Sequence, residues 1–338
     1  MKKLLIIIFT VFFAAPLFAS GGEAFAFLKN GVGVRAAGMG GAYSSLADDC
    51  SASFYNPAGL GRLHALSLAA DTYIMSFGRS MNFVAVAKPF EIGNKVIATG
   101  FSWINYSTGA DIEARASNTL SYDSVFNDAE NMLIASFASS LSDNLLIGAN
   151  AKFLFQNIKE SKGAGFGFDV GAIAKVTSAL SLGINFSNIS TSIVWSGNTH
   201  TDELPLTIVP GISYILRDIA GANGLNLLLS ADVYYNKFNT LFLKGGLEGA
   251  INDVVFARCG WNGFSLSVGT GIKIKPSKIF SLKFDYAWVA DSIEVGGANH
   301  RIGLTLDYIF PGMEYVEQGN ESNYENEGTV KYEKYKDW

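Results

Sequence analysis

Residues 280–289 read Phe-Ser-Leu-Lys-Phe-Asp-Tyr-Ala-Trp-Val, and their alternation decides the fold class. Successive side chains of an extended strand point to opposite sides. Phe280, Leu282, Phe284, Tyr286 and Trp288 therefore share one face, and Ser281, Lys283, Asp285 and Ala287 the other. The same period recurs upstream. In residues 264–275, Phe264, Leu266, Val268, Ile272 and Ile274 oppose Ser265, Ser267, Gly269, Gly271, Lys273 and Lys275. Residues 180–188 set Leu180, Leu182, Ile184 and Phe186 against Ser181, Gly183, Asn185 and Ser187. Residues 144–156 set Leu145, Ile147, Phe153 and Phe155 against a face carrying Asn150, Lys152 and Gln156. Period two predicts strands, and the contrast between faces predicts that they separate two solvents.

A soluble sandwich alternates too, but it is complete with about seven short strands in about 100 residues. Here the pattern runs from about residue 65 to 310, with aromatic-rich apolar faces. An all-β, antiparallel transmembrane barrel with lipid outside and polar and glycine positions inside accounts for that length. Counting hairpins places strands near 65–76, 80–90, 95–108, 130–142, 144–157, 165–177, 180–190, 206–216, 224–236, 240–251, 254–262, 264–275, 279–290 and 299–310, fourteen in all. Tight connections at 142–144, 177–179 and 252–253 fall at one end, and the long ones, 109–128 and 191–205, at the other. Outer-membrane barrels carry short periplasmic turns and long external loops, so both termini are expected in the periplasm. Segment 111–126 is itself strand-like and raises the count to sixteen if it joins the wall.

Composition agrees. Charged residues make up 16% of the 338 residues, against about 25% in soluble globular domains. Lys2 and Lys3, the apolar run 4–13 and the small residues of 14–19 read as a signal peptide (1–19) cut near Ala19, although Leu17 is large for its position. Its loss takes the net charge from −5 to −7. Without clustered Lys and Arg, nucleic acid is excluded as a partner. No later apolar run reaches the length of a membrane helix. Cys50 and Cys259 stand in no metal spacing and read as free thiols rather than a disulfide. His64, His200 and His300 form no visible pairing with a nucleophile, and His200 beside Asp202 and Glu203 reads as a solvated loop. The chain is thus expected to be non-enzymatic, without metal or cofactor.

Residues 20–63 differ from the rest: they are rich in Gly and Ala and lack alternation. Their glycines are not a phosphate cradle, because no GxGxxG or GK[ST] sits between a strand and a helix. Small residues let a backbone lie close against a wall, as a hatch inside a barrel must. The run includes Arg35, Gly38, Gly40 and Gly41, then Asp48 and Asp49, then Asn56, Pro57 and Ala58. Its pattern Phe-Leu-Lys-x-Gly-Val-Gly-x-Arg-Ala-Ala-Gly-Met-Gly-Gly-Ala, followed by Ala-Asp-Asp and Tyr-Asn-Pro-Ala-Gly-Leu, resembles the PorV/PorQ family of outer-membrane proteins, which are similar to the FadL long-chain fatty-acid transporters. Residues 182–188, 284–288 and 300–304 extend the resemblance along the mature chain. It implies fourteen strands (64–310) around an N-terminal hatch (20–63), with Asn56, Pro57 and Ala58 shaping a substrate path. Arg301, Gly303, Leu306 and Tyr308 resemble the signal read by the barrel-assembly machinery, and an acidic periplasmic tail (311–338) follows.

Parity points Lys152, Asp169, Lys175, Asp232, Lys244, Glu248, Arg258, Lys273, Lys283, Asp285 and Arg301 inward. Buried charges pair, so these are expected to form a salt-bridged wall that holds the hatch, or in part to receive an anionic head group. Two functions follow from the resemblance. One is uptake of hydrophobic small molecules such as fatty acids from the outer-membrane lipid surface, entering at loops 109–128 and 191–205, where Ile112, Leu120, Val125, Phe126, Ile193, Val194 and Trp195 form a collecting surface or pack inward. The other is an accessory barrel of type IX secretion that binds exported proteins. An open diffusion pore is disfavoured, because a hatch of about forty residues fills such a lumen.

Overall fold

A computed structural model describes residues 24–92, 95–109, 112–114, 124–197, 201–219, 224–238, 240–291 and 297–310. The signal peptide, the acidic tail, Leu120 and His200 lie outside the described residues. In chain order the strands are β1 (Leu66–Ile74), β2 (Ser80–Ile92), β3 (Lys95–Ser107), β4 (Ile112–Ala114), β5 (Ser124–Phe126), β6 (Asp128–Ser142), β7 (Leu145–Ile158), β8 (Ser161–Lys175), β9 (Leu180–Trp195), β10 (Thr201–Glu203), β11 (Thr207–Leu216), β12 (Leu225–Asn236), β13 (Leu241–Ile251), β14 (Val255–Trp261), β15 (Leu266–Ser277), β16 (Phe280–Ala290) and β17 (Ala298–Tyr308).

Fourteen of these form one closed antiparallel barrel. Each pairs with its sequence neighbours, and β17 closes on β1 from Leu66↔Tyr308 to Ile74↔His300. Among the described residues the strand-like segment at 111–126 does not join the wall: β4 and β5 pair with each other as a separate hairpin, which leaves the count at fourteen. The expected loop 191–205 is shorter than parity suggested. β9 continues to Trp195 and β10 pairs against it, so part of that loop is wall extended beyond the ring. The extension begins where the β8–β9 ladder shifts register between Phe166 and Val170, opposite Asn188 and Ser190 at φ 61° and 48°.

The outer face is a belt of exposed apolar side chains, among them Phe101, Phe137, Phe153, Phe168, Leu182, Val268, Ile272, Phe284 and Ile302. Exposed apolar surface on this scale requires an apolar surrounding. Residues 24–63 lie in the lumen. They comprise a 3-10 turn Ala26–Asn30, the short helices Val34–Gly38 and Ala52–Tyr55, and a second 3-10 turn Pro57–Arg62.

The lumen differs from the polar interior expected of it. One side is apolar: Met81 and Phe83 of β2, Ile104 of β3, Met132 and Ile134 of β6, and Leu146 and Leu154 of β7 are fully buried inside. Most buried charges lie on the other strands, with Glu130 of β6 and Lys152 of β7 the exceptions on this side among the described residues. Strict alternation marks which residues face inward, but on β2, β3, β6 and β7 many of them are large and apolar because they share a core with the hatch, with Ser102, Glu130, Asn150, Lys152 and Gln156 set among them.

Candidate functional site

The site is the contact between the hatch and the wall. Asn56, which is completely buried, is its foot. Its Nδ2 donates to the carbonyls of Ser44 at 2.8 Å, Ala172 at 3.1 Å and Ile184 at 3.3 Å, and its Oδ1 accepts the Ala58 N–H at 3.2 Å. The side chain caps the turn that Pro57 starts and ties it to β8 and β9. The Pro57–Ala58 backbone rests on Gly148 of β7, where a Cβ would have no room. Nearby, Asn150 donates to the Ser53 carbonyl at 2.7 Å, and Ser53 meets the Ser102 hydroxyl at 2.7 Å.

On the far side, charge replaces packing. Arg35 places Nε and Nη2 on the two oxygens of Glu248, each at 2.8 Å. Its Nη1 meets Asp48 at 2.5 Å and the Tyr43 hydroxyl at 3.1 Å. Burial opposes the charge of Arg35, but Asp48 and Glu248 outweigh it and hold the guanidinium pKa well above its ordinary value. Glu248 is also bound by Arg258 at 2.5 Å, and Arg258 reaches Asp285 at 2.7 Å. Lys283 stands 3.6 Å from Asp285 and over the Phe256 ring. Six predicted residues, Arg35, Asp48, Glu248, Arg258, Lys283 and Asp285, thus form one network.

The other predicted positions act separately. Arg301 donates to the Gly31 carbonyl at 3.0 Å and faces Asp71, which accepts the Gly33 N–H at 3.1 Å. Asp232 accepts the N–H groups of Tyr43 at 2.8 Å and Ser44 at 2.9 Å. Lys244 lies beside Gly41 and over the Tyr234 ring. Gly38 packs on Arg258 and Gly269, and Gly40, at φ 64°, lies against the Trp261 backbone where only glycine fits. Asp49 binds the Tyr43 hydroxyl at 2.8 Å and the Ser51 N–H at 2.8 Å, closing a turn inside the hatch. Lys152 pairs with Asp169 at 2.7 Å away from the hatch network. Both cysteines are free, and burial pushes the Cys50 thiol up to about 12, which keeps it protonated and inert. His64, half-buried at the junction of hatch and wall, has its pKa lowered by burial.

Asp71, Arg62 and Tyr43 were not singled out from sequence, and Asn150 was marked only as part of the polar face of residues 144–156. Asp71 shares the inward face of β1 with Ser67 and Tyr73, so alternation marks it. Arg62 donates to the carbonyls of Ser45 at 2.9 Å and Leu46 at 2.6 Å, a role no spacing signals.

Two spaces bear on ligands. Near the long connections, Phe27 stacks on Tyr106 at 4.9 Å, and Asn30 reaches Met75. Hatch residues there fill the apolar half of the lumen together with Met81, Ile104, Met132 and Leu154. At the short-turn end a recess of about 190 Å³ opens between hatch and wall, lined by Arg35, Leu46, Asp48 and Arg62 from the hatch and by Ser213, Leu228, Glu248 and Phe256 from the wall. At the long-connection end Ile112, Val125 and Val194 are exposed, whereas Ile193 is fully buried and Trp195 donates to Asp202 at 2.7 Å.

No protein-family model and no curated protein matches the chain. Solved structures do. The toluene transporter TodX of Pseudomonas putida is similar over 83% of this chain and 99% of its own, with a TM-score of 0.58 at 10% identity. The toluene transporter TbuX of Ralstonia pickettii is similar over 84% of this chain and 99% of its own, with a TM-score of 0.54 at 13% identity. The monoaromatic hydrocarbon channel CymD is similar over 85% of this chain and 99% of its own, with a TM-score of 0.54 at 12% identity. At such low identity the likeness establishes the barrel fold.

Proposed function

We propose that the chain is a non-enzymatic outer-membrane barrel of the PorV/PorQ, FadL-like type that takes up hydrophobic small molecules such as long-chain fatty acids through a lumen controlled by its hatch. The observation that carries this reading is the apolar half of the lumen. A pore for hydrophilic solutes has no use for Met81, Ile104, Met132 and Leu154 on its inner wall, where they share one buried core with hatch residues such as Phe27 and Leu60. The names of similar structures, toluene transporters and a monoaromatic hydrocarbon channel, support a hydrophobic cargo. In this reading the short turns and the acidic tail face the periplasm, and the assembly machinery reads β17. The hatch turn bearing Phe27 reaches the end of the long connections, since Phe27 packs on Tyr106.

The test compares uptake of labelled fatty acid and labelled toluene by cells carrying the parent or Met132→Asp. A carboxylate there is expected to abolish uptake of both, while the barrel still shows the heat-dependent gel shift of a folded wall. Uptake equal to the parent's in that folded variant overturns the reading. Preference between the two cargoes identifies the class.

The PorV/PorQ resemblance also supports a secretion role, and the exposed Ile112, Val125 and Val194 at the long-connection end would then be a docking surface for exported proteins. Mass spectrometry of what co-purifies from native membrane separates the readings: a stoichiometric lipid-like ligand supports uptake, and exported proteins with a shared C-terminal domain support secretion.

A further inference from the structure

We propose that Asp128 and Glu130, at the long-connection end of the lumen, form a binding site for the ammonium head of a hydrophobic amine. The other buried acids of the wall are compensated. Asp169 meets Lys152, Glu248 meets Arg35 and Arg258, and Asp285 meets Arg258 and Lys283, while Asp232 accepts two hatch N–H groups. Among the described residues Asp128 and Glu130 meet no base. Their carboxyl groups are hydrogen-bonded to each other, which requires a proton where the other acids have a cation. Arg79, which reaches the neighbouring Tyr106 hydroxyl, is held by Asp291 at 3.5 Å and by the Ser76 carbonyl at 2.9 Å. Glu130 is 6% exposed, and its Oε2 is buried and accepts no hydrogen bond. A buried carboxyl in that state costs stability until a donor completes it.

The surroundings select the donor. Register sets Tyr106 of β3 and Gln156 of β7 on either side of Glu130, with Gly163 of β8 beyond Gln156. Gly163 has no side chain, and the Trp195 ring takes up that space, 3.2 Å from where a Cβ would stand. The acids thus lie in a row that ends in two half-buried rings. Aromatic faces attract an organic ammonium, and the carboxyl groups beside them supply its counter-charge. A calcium ion takes about 6–8 oxygens, but no third acid joins the pair among the described residues. A carboxylate head would meet like charge. Asp128, half-buried at the start of β6, is the member a ligand meets first, and Met132 and Leu154 form the next inward pair below, so a polar head there lies over apolar wall. The inference rests on the transport reading only for its purpose: it adds amphiphiles with a cationic head to the hydrophobic cargo. Its test measures binding rather than uptake, so the two can fail separately.

The test is calorimetric titration of the full-length protein in lipid nanodiscs, with empty nanodiscs subtracted, using probes of one chain length: decylammonium, decanol and decanoate. The parent is expected to bind decylammonium about tenfold more tightly than decanol, the gain of a charge-assisted hydrogen bond over a neutral one. Decanoate is expected to bind most weakly. Glu130→Gln keeps the shape of the side chain and is expected to erase the preference for decylammonium while leaving decanol binding unchanged. Asp128→Asn, at the more exposed member, is expected to reduce the preference in part and gives a reading should the first variant fail to fold. A pair that serves only the wall predicts that both variants change the affinity for all three probes alike. That outcome, equal binding of decylammonium and decanol by the parent, tighter binding of decanoate, or a preference that survives both variants overturns the proposal. So does calcium chloride alone, if it binds stoichiometrically and excludes decylammonium, since the pair is then a metal site. An intact ammonium preference in a protein whose uptake Met132→Asp leaves unchanged keeps the site and removes the transport reading.

Discussion

Asn56 binds hatch to wall through one amide. It donates to carbonyls on three separate segments while its own oxygen caps the next turn, and all of this lies out of water. Asn56→Ala removes all four of these buried hydrogen bonds at once, a loss of about 1–3 kcal/mol. Asn56→Asp is expected to be worse, because it aims a negative oxygen at carbonyl oxygens and buries an unpaired charge. Protease protection of the hatch should therefore fall in the order parent, alanine, aspartate. Equal protection in parent and aspartate variants would remove the hydrogen-bond account. His64 gives a second residue-scale prediction. Burial lowers its pKa below the ordinary 6.5 in the folded protein, so on acidification the unfolded chain takes up a proton that the folded one refuses. Stability is then expected to fall as the pH drops below about 6.5. His64→Gln should remove that part of the slope in melts compared between neutral and mildly acid buffer. These residues were legible to different degrees. Asn56 was marked by the resemblance alone, while alternation assigned Glu248, Arg258 and Asp285 to the inside. Parity gives a face but neither height nor partner, so the convergence of Arg35 and Arg258 on one carboxylate needed the fold.

Strands were the most legible elements, because a wall with lipid on one side forces every other residue to be apolar. The departures occur where another constraint intrudes. β9 overruns its expected end because the β8–β9 ladder shifts around Asn188, whose N–H is taken by Asp169 at 2.9 Å and whose side chain accepts from Lys152 at 3.0 Å. Asp169 and Lys152, 0% and 3% exposed, form the ion pair that fixes this bulge. Asp169→Leu strands a buried ammonium and is expected to cost about 3–5 kcal/mol. The double change Asp169→Leu with Lys152→Met removes both charges and should regain most of that loss. Melting temperatures of the parent, each single variant and the double variant check this, and an additive double variant would show that the two charges do not act as a pair. β4 and β5 show the opposite limit: their local alternation is sound, yet among the described residues they pair with each other and not with the wall. Sequence period cannot say which strands a hairpin joins.

At the scale of the whole molecule, lumen and hatch complement each other by halves. Parity missed this division because inward positions were expected to be polar or glycine, with the hatch held by charges, whereas on β2, β3, β6 and β7 many face the hatch and are apolar for the same reason as any core. The hatch therefore does two opposed things: it stabilises the barrel by covering apolar wall, and it blocks the lumen. Deleting residues 24–63 separates them. The wall charges Glu248, Arg258, Asp285 and Lys283 retain one another as partners, so the charged half tolerates the loss. The apolar half does not, since Met81, Phe83, Ile104, Met132, Ile134, Leu146 and Leu154 all pass from full burial to water, at about 25 cal/mol for each Å² exposed. The truncated barrel is expected to conduct in steps far larger than the parent's and to melt at a markedly lower temperature. A truncated barrel that conducts but melts with the parent would mean that the apolar wall is not held by the hatch. One that melts early yet does not conduct would mean that the wall collapses inward once its filling is gone.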